Sequence, residues 1–189
     1  MAGNYITEIK STTETAFQRA IILGGTSIID GEIVEWLDIE LPVDESRKAR
    51  GHCVDLIGKS KDGYVICELK FGKNSATDSP GEASSQLERY RVDIKSNSSV
   101  LDEKKIYHKN GKQFLWKDIA DNARYIIAAN EEYWSYWLTH RKVQLQNDFE
   151  CYSLNVKNDC FKQQKTKNTK YVPELPECKW TRLRNNENY

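Results

Sequence analysis

Hydrophobic positions along this chain alternate between helical and strand spacing, and each change of spacing marks an element. Ser11-Thr12-Thr13-Glu14 precedes the run AFQRAIIL. The capping signature and the shared face of Glu14, Phe17 and Ile21 predict a helix there, ended by Gly24 and Gly25. Glu14 thus falls on the apolar side, an unusual place for a solvated carboxylate. Glu32–Val43, reading EIVEWLDIELPV, predicts a strand stopped near Pro42. After a charged loop come two apolar runs, His52–Gly58 and Tyr64–Phe71, separated by KSKDG. Asp62-Gly63 is a hairpin signal between them.

A polar loop over 73–81 leads into Glu82–Ile94, which is helical in pattern. Ala123–Ala129 predicts a strand buried on both faces. Glu131–Val143 predicts a helix whose Tyr133, Trp134, Tyr136 and Trp137 suit core packing better than base stacking. Phe149–Val156 predicts the last strand. Lys95–Asp118 has no clear period beyond a small hairpin around Asn110-Gly111, and is expected to be an insertion. Asn158–Lys170 reads as loop, and the end from Tyr171 as extended chain. The order α-β-β-β-α-β-α-β predicts an α/β domain over 1–157, with a central mixed sheet flanked by helices. A basic, polar C-terminal extension occupies 158–189.

Composition narrows the class. Of 189 residues, 39% are hydrophobic and 11% aromatic, enough to build a core and too many for a disordered chain. No apolar run approaches the roughly 18 residues that span a bilayer, and MAGNYITEIK lacks a charged-then-apolar leader pattern. The expectation is a cytoplasmic protein with no membrane partner. The 5 cysteines are odd in number and form no CxxC, so neither a disulfide framework nor a structural zinc is expected. His52, His108 and His140 show no ligand spacing. Net charge is zero but unevenly spread: Cys151–Tyr189 holds 8 Lys+Arg against 4 Asp+Glu, and Met1–Arg50 holds 5 against 9. The basic end suits either a solvated surface or a flank that touches phosphates.

Candidate chemistry lies in Asp55–Lys70, DLIGKSKDGYVICELK. Side chains alternate along a strand, so Glu68 and Lys70 share a face. A two-residue Asp62-Gly63 loop sets Asp55 opposite Lys70, and a four-residue loop over 60–63 sets it opposite Glu68. Both registers bring Asp55 to the Glu68/Lys70 face, whereas an odd-length loop would flip it away. The other face collects Val54, Leu56, Val65, Cys67 and Leu69. Opposed strand residues have Cβ atoms about 5 Å apart, and two carboxylates at that range repel unless a proton or cation lies between them. A hard, oxygen-preferring ion such as Mg²⁺ satisfies both. An E-x-K triplet alone is explained equally well by a solvated ion pair. Apolar flanks on both faces favour a covered site.

At these residues the chain resembles the PD-(D/E)XK nuclease superfamily: Asp55, then Glu68-Leu69-Lys70 at the end of the next strand. Val54 stands where the family's name has proline, a position that varies widely in the superfamily. The following helix carries Gln86-Leu87-Glu88-Arg89-Tyr90, similar to the nuclease domains of NucS-type mismatch endonucleases. Glu14 looks like the extra acidic residue of the family's first helix. Only Asp55–Tyr90 is motif-specific. The resemblance implies a restriction-endonuclease-like core and an Mg²⁺-dependent endonuclease, with Mn²⁺ able to substitute, acting on nucleic acid, DNA in preference to RNA. Asp55, Glu68 and the Leu69 carbonyl would ligate the metal. Lys70 would orient the attacking water, and Glu14 would bind a metal-bound water or a second ion. Gln86 would sit near Lys70 or the scissile phosphate. A homodimer would suit two-strand cutting. The other reading is a catalytically inactive nucleic-acid-binding or interaction module on the same fold.

Overall fold

In the computed structural model, residues 14–44, 53–72, 78–106, 114–145, 148–156 and 178–184 are described, and their seven strands form one sheet in chain order. Helix α1 (Glu14–Gly24) leads into β1 (Thr26–Ile29), β2 (Glu32–Pro42), β3 (Cys53–Ser60) and β4 (Gly63–Lys70), an antiparallel meander. Two helices, α2 (Pro80–Glu103) and α3 (Trp116–Asn122), carry the chain across to β5 (Ala123–Asn130), parallel to β4. Helix α4 (Glu131–Trp134) continues as a π-helical turn over Ser135–His140. Strand β6 (Glu150–Leu154) then pairs parallel to β5, and β7 (Trp180–Arg182) antiparallel to β6. The protein is mixed α/β, as its hydrophobic periods predict. No helix among the described residues is long and apolar enough to cross a membrane.

Two apolar layers flank the sheet. Phe17, Ala20 and Ile21 of α1 pack against Leu56, Val65, Cys67 and Leu69. Leu87, Tyr90 and Ile94 of α2 pack against Ile57 and Ile66, with Trp116 and the aromatic residues of α4 in the same layer. The expected sorting of β3 and β4 holds with one correction: Val54 joins the α2 layer and Leu56 the α1 layer. Strict alternation would put both on one face, yet they fall in different layers although the pairing with β2 stays in register from Leu56 to Cys53.

Several elements depart from the sequence expectation for identifiable reasons. β1 and β2 are joined by Asp30-Gly31, both at positive φ (52° and 81°), the backbone a tight hairpin turn needs. α2 runs nine residues past Ile94, because Ser98 and Leu101 continue its buried stripe. Thus Lys95–Glu103 is helix. α3 lacks a capping side chain at Leu115; Asp102, far back in sequence, instead accepts the Trp116 N–H (2.6 Å) and the Lys117 N–H (3.2 Å). β7 lies inside the segment read as an extension, where Trp180 stacks on Trp36 with ring centroids 5.7 Å apart. The hairpin expected at Asn110-Gly111, the Ser11–Thr13 cap and the loop over 158–170 lie outside the described residues.

The ends of β4 and β5 are tied together by Asn130, which is fully buried. Its Oδ1 accepts the Gly72 N–H at 2.9 Å and caps α4 by accepting the Tyr133 N–H at 3.3 Å. One side chain thereby fixes the chain just after Lys70 and starts the next helix. At the opposite end of β3, Gly58 is required by packing: a Cβ there would meet the Trp36 ring at 2.9 Å and Val34 at 2.6 Å.

Candidate active site

Strands β3 and β4 pair from Ser60↔Gly63 to Leu56↔Cys67 and then part. This register continues to Asp55 opposite Glu68, the alternative ascribed above to a four-residue loop. The turn itself is Lys61-Asp62, with Gly63 paired at φ 144°. Where the ladder stops, the Asp55 carboxylate replaces it: the Leu69 N–H donates to Oδ2 at 2.8 Å. On the α1 side, Gln18 Nε2 donates to Asp55 Oδ1 at 2.7 Å. Asp55 therefore stands at the fork, held from the helix and from the neighbouring strand.

Glu68 and Lys70 are both buried, and the Lys70 ammonium donates to Glu68 Oε1 at 2.7 Å. Glu68 Oε2 is buried with no hydrogen-bond partner among the described residues. A buried carboxylate oxygen left without a donor costs free energy, so this atom marks an unmet demand for a donor or a cation. Asp55 and Glu68 lie within hydrogen-bonding reach of one another. Burial, then the Glu68 charge, pushes the Asp55 carboxyl well above its ordinary range, although Lys70 and the Leu69 N–H pull the other way. Burial also raises Glu68 against the pull of Lys70.

Glu14, at the first turn of α1, joins the cluster. Burial raises its carboxyl to about 7; Lys70 opposes this, while Asp55 and Asp78 add to it. Lys70 is the counter-case. Burial alone would favour the neutral amine, but Glu68, Glu14 and Asp55 outweigh it and hold the ammonium above its usual range. One ammonium thus faces three carboxyl groups whose proton affinities have all risen. The imbalance has a measurable sign. A carboxyl with a raised folded-state pKa stabilises the fold most below its unfolded pKa and loses that contribution as pH rises through the folded value. For Glu14 this window runs from 4.5 to about 7. In EDTA, the thermal midpoint of wild type is expected to fall between pH 5 and pH 7.5, and Glu14→Gln to flatten part of that slope. Identical slopes would remove Glu14 from the cluster.

Among the sequence candidates, the fold brings Asp55, Glu68 and Lys70 together, and Glu14 lies near enough for its carboxyl to be shifted by Lys70 and Asp55. Leu69 contributes its N–H, with its side chain in the α1 layer. Gln86 lies on α2 one turn before Tyr90, whose hydroxyl is influenced by Glu68 and Asp55 as well as by burial. Gln86 Oε1 is buried without a partner, and no hydrogen bond joins Gln86 to Lys70 among the described residues. Gln18 is the residue that sequence reasoning missed, although the signal was present: it lies four positions after Glu14 and so on the same helix face.

The donor set suits a hard cation, with two carboxylates side by side and one oxygen unpartnered. As the side chains stand, however, no three His, Cys, Asp or Glu residues among those described are grouped to ligate one ion. Lys70 occupies one oxygen of Glu68. A separate cavity of about 390 Å³ lies at the far end of β4 and β5, beside Asp30, Asp62, Arg124, Glu150 and Arg182. Its charges are already matched: Arg124 pairs with Asp30 (2.6 Å) and Glu150, and Arg182 with Glu150 (2.6 Å). The β3/β4 fork, by contrast, holds Gln18 Oε1 and Glu68 Oε2, both buried without a partner among the described residues. No family model, curated protein or solved structure matches this chain.

Proposed function

We propose that the chain is a divalent-cation-dependent endonuclease that hydrolyses phosphodiester bonds, in DNA in preference to RNA, on a restriction-endonuclease-like core. The observation that carries the reading is the meeting of Asp55, Glu68 and Lys70 where β3 and β4 part, with Glu68 Oε2 left without a donor. Asp55, Glu68 and the Leu69 carbonyl would hold the ion. A bound Mg²⁺ or Mn²⁺ polarises phosphate oxygens and makes a bound water more acidic. Lys70 stays an ammonium beside three carboxyl groups, so its part is to offset negative charge developing on the phosphate. Of the clustered groups, Glu14 has the proton affinity that suits taking a proton near neutral pH. Gln86 would hydrogen-bond the phosphate from α2.

The test is a cleavage assay on duplex, single-stranded and branched DNA and on RNA, with Mg²⁺, Mn²⁺ or EDTA. Wild type is expected to cut with the cations alone, and Glu68→Gln to lose at least about a hundredfold of that rate, since even partners of a metal ligand cost 10–100-fold. If every substrate survives wild type, the enzyme reading is lost. The second reading, an inactive nucleic-acid-binding module on this scaffold, is favoured by one observation: Glu68 is already paired to Lys70 and no third carboxylate among the described residues completes a ligand set. Binding of the same substrates without cutting would select it.

A further inference from the structure

Gln18 is 3% exposed and sits in the middle of α1, between the core residues Phe17 and Ala20. A buried primary amide is costly unless both its ends are satisfied. Here only one end is. Nε2 donates to Asp55 Oδ1, while Oε1 is buried with no partner among the described residues. Packing does not call for glutamine at this point in the helix, since Phe17, Ala20 and Ile21 fill the apolar layer around it. Its polar end is directed at one group, Asp55.

Asp55 needs such a hold. It lies one residue beyond the last pair of the β3–β4 ladder, where β3 has no further bond to β4. Without a second support, its carboxylate would be fixed through Oδ2 alone by the Leu69 N–H. With Gln18, each oxygen accepts its own hydrogen bond, one from α1 and one from β4, which restricts the orientation of the carboxylate. Metal ligands are commonly oriented by a neighbour's hydrogen bond in this way.

We propose that Gln18 is a positioning residue for Asp55: its amide fixes the carboxylate in the orientation that receives a divalent cation at the β3/β4 fork. This rests on the cation-binding reading above. The free Oε1 adds to it, because a hydrated cation brings water hydrogens to a buried acceptor that otherwise has none.

The experiment compares wild type, Gln18→Met and Ile22→Ala by Mn²⁺ titration calorimetry and by amide NMR of the metal-free chain. Gln18→Met keeps length and apolar bulk but removes the donor. Ile22→Ala weakens the packing of α1 and leaves the donor in place. The expected result is that Gln18→Met binds Mn²⁺ about 10–100-fold more weakly, and that the Leu69 amide resonance moves because Asp55 is released. Ile22→Ala should lower the thermal midpoint with Mn²⁺ affinity and the Leu69 amide unchanged. If Gln18→Met matches wild type in Mn²⁺ affinity, or if Ile22→Ala weakens binding as much as Gln18→Met, the role of Gln18 falls and the cation site survives. If wild type itself takes up no Mn²⁺, both readings fall together. Should Gln18→Met fail to fold, Gln18→Leu replaces it with the same two readouts.

Discussion

Asp55→Asn is expected to give a chain that is more heat-stable than wild type in EDTA and at least about a hundredfold slower at cutting nucleic acid. The two effects share one cause. Burial and the Glu68 charge raise the Asp55 carboxyl well above its ordinary range, so at neutral pH the ionised form works against folding. An amide of the same shape removes the repulsion. It also suits the hydrogen bonds at the fork. The new amide oxygen would still accept the Leu69 N–H. The new amide nitrogen would donate to Gln18 once the Gln18 amide turned over, occupying the Oε1 that now lacks a donor. In a chain of this size each kcal/mol recovered raises the thermal midpoint by about 2–4 °C.

Divalent cation should reverse that order. A ligand that binds only the folded state adds stability in proportion to the logarithm of its concentration over its dissociation constant, about 2.7 kcal/mol at a hundredfold excess. Wild type would gain this with Mn²⁺, and Asp55→Asn would not. Thermal scans with EDTA and with Mn²⁺ therefore carry the test. A midpoint for Asp55→Asn at or below wild type in EDTA would show that Asp55 is settled in its surroundings and carries no unmet charge.

A charge buried against its neighbours is what sequence patterns register poorly. The strands were legible where the apolar runs were long: β2, β4 and β5 follow those runs to within a residue or two. The meeting of Asp55, Glu68 and Lys70 was legible because both even-length loops put Asp55 on that face, whereas an odd-length loop would have turned it away. What parity could not supply was the place of Val54 in the α2 layer and the hold of Gln18 on the Asp55 carboxylate. Strand alternation carries no sign of a side chain that reaches a strand carboxylate from a helix. Asp-Gly was informative twice and in different ways. Asp30-Gly31 forms the central pair of the β1–β2 turn, whereas at Asp62-Gly63 the glycine sits one place later, paired with Ser60. The remaining elements depend on distant partners. α3 is capped by Asp102, fourteen residues earlier, and β7 is three residues held by pairing with β6 and by the Trp36 ring. No local window contains either cause.

Lys70 carries the largest stability effect. It is the ammonium that the three carboxyl groups share, it is 6% exposed, and its bond to Glu68 is 2.7 Å long. Lys70→Met keeps the aliphatic stem and removes the charge, leaving Glu68 buried and unpaired. Breaking a buried pair from one side costs about 3–5 kcal/mol, or about 6–20 °C in the midpoint at this chain length. The loss should depend on pH. Removing the ammonium raises Glu14 and Glu68 further, so their neutral forms persist to higher pH in the folded chain. Stability is then retained near pH 5, where the carboxyls carry protons, and lost as pH climbs through and beyond about 7, the value Glu14 already reaches with Lys70 present. The gap between wild type and variant should be smallest at pH 5 and widest at pH 8. Mn²⁺ should close part of that gap, because a divalent ion at the fork supplies the missing positive charge, yet cleavage should stay down by about 10²–10³-fold for want of a cation beside the phosphate. Stability restored together with full cleavage would mean that the ammonium serves the fold alone. A gap equal at pH 5 and pH 8 would mean that Lys70 is held by packing, with no excess negative charge among Glu14, Asp55 and Glu68 for a metal ion to relieve.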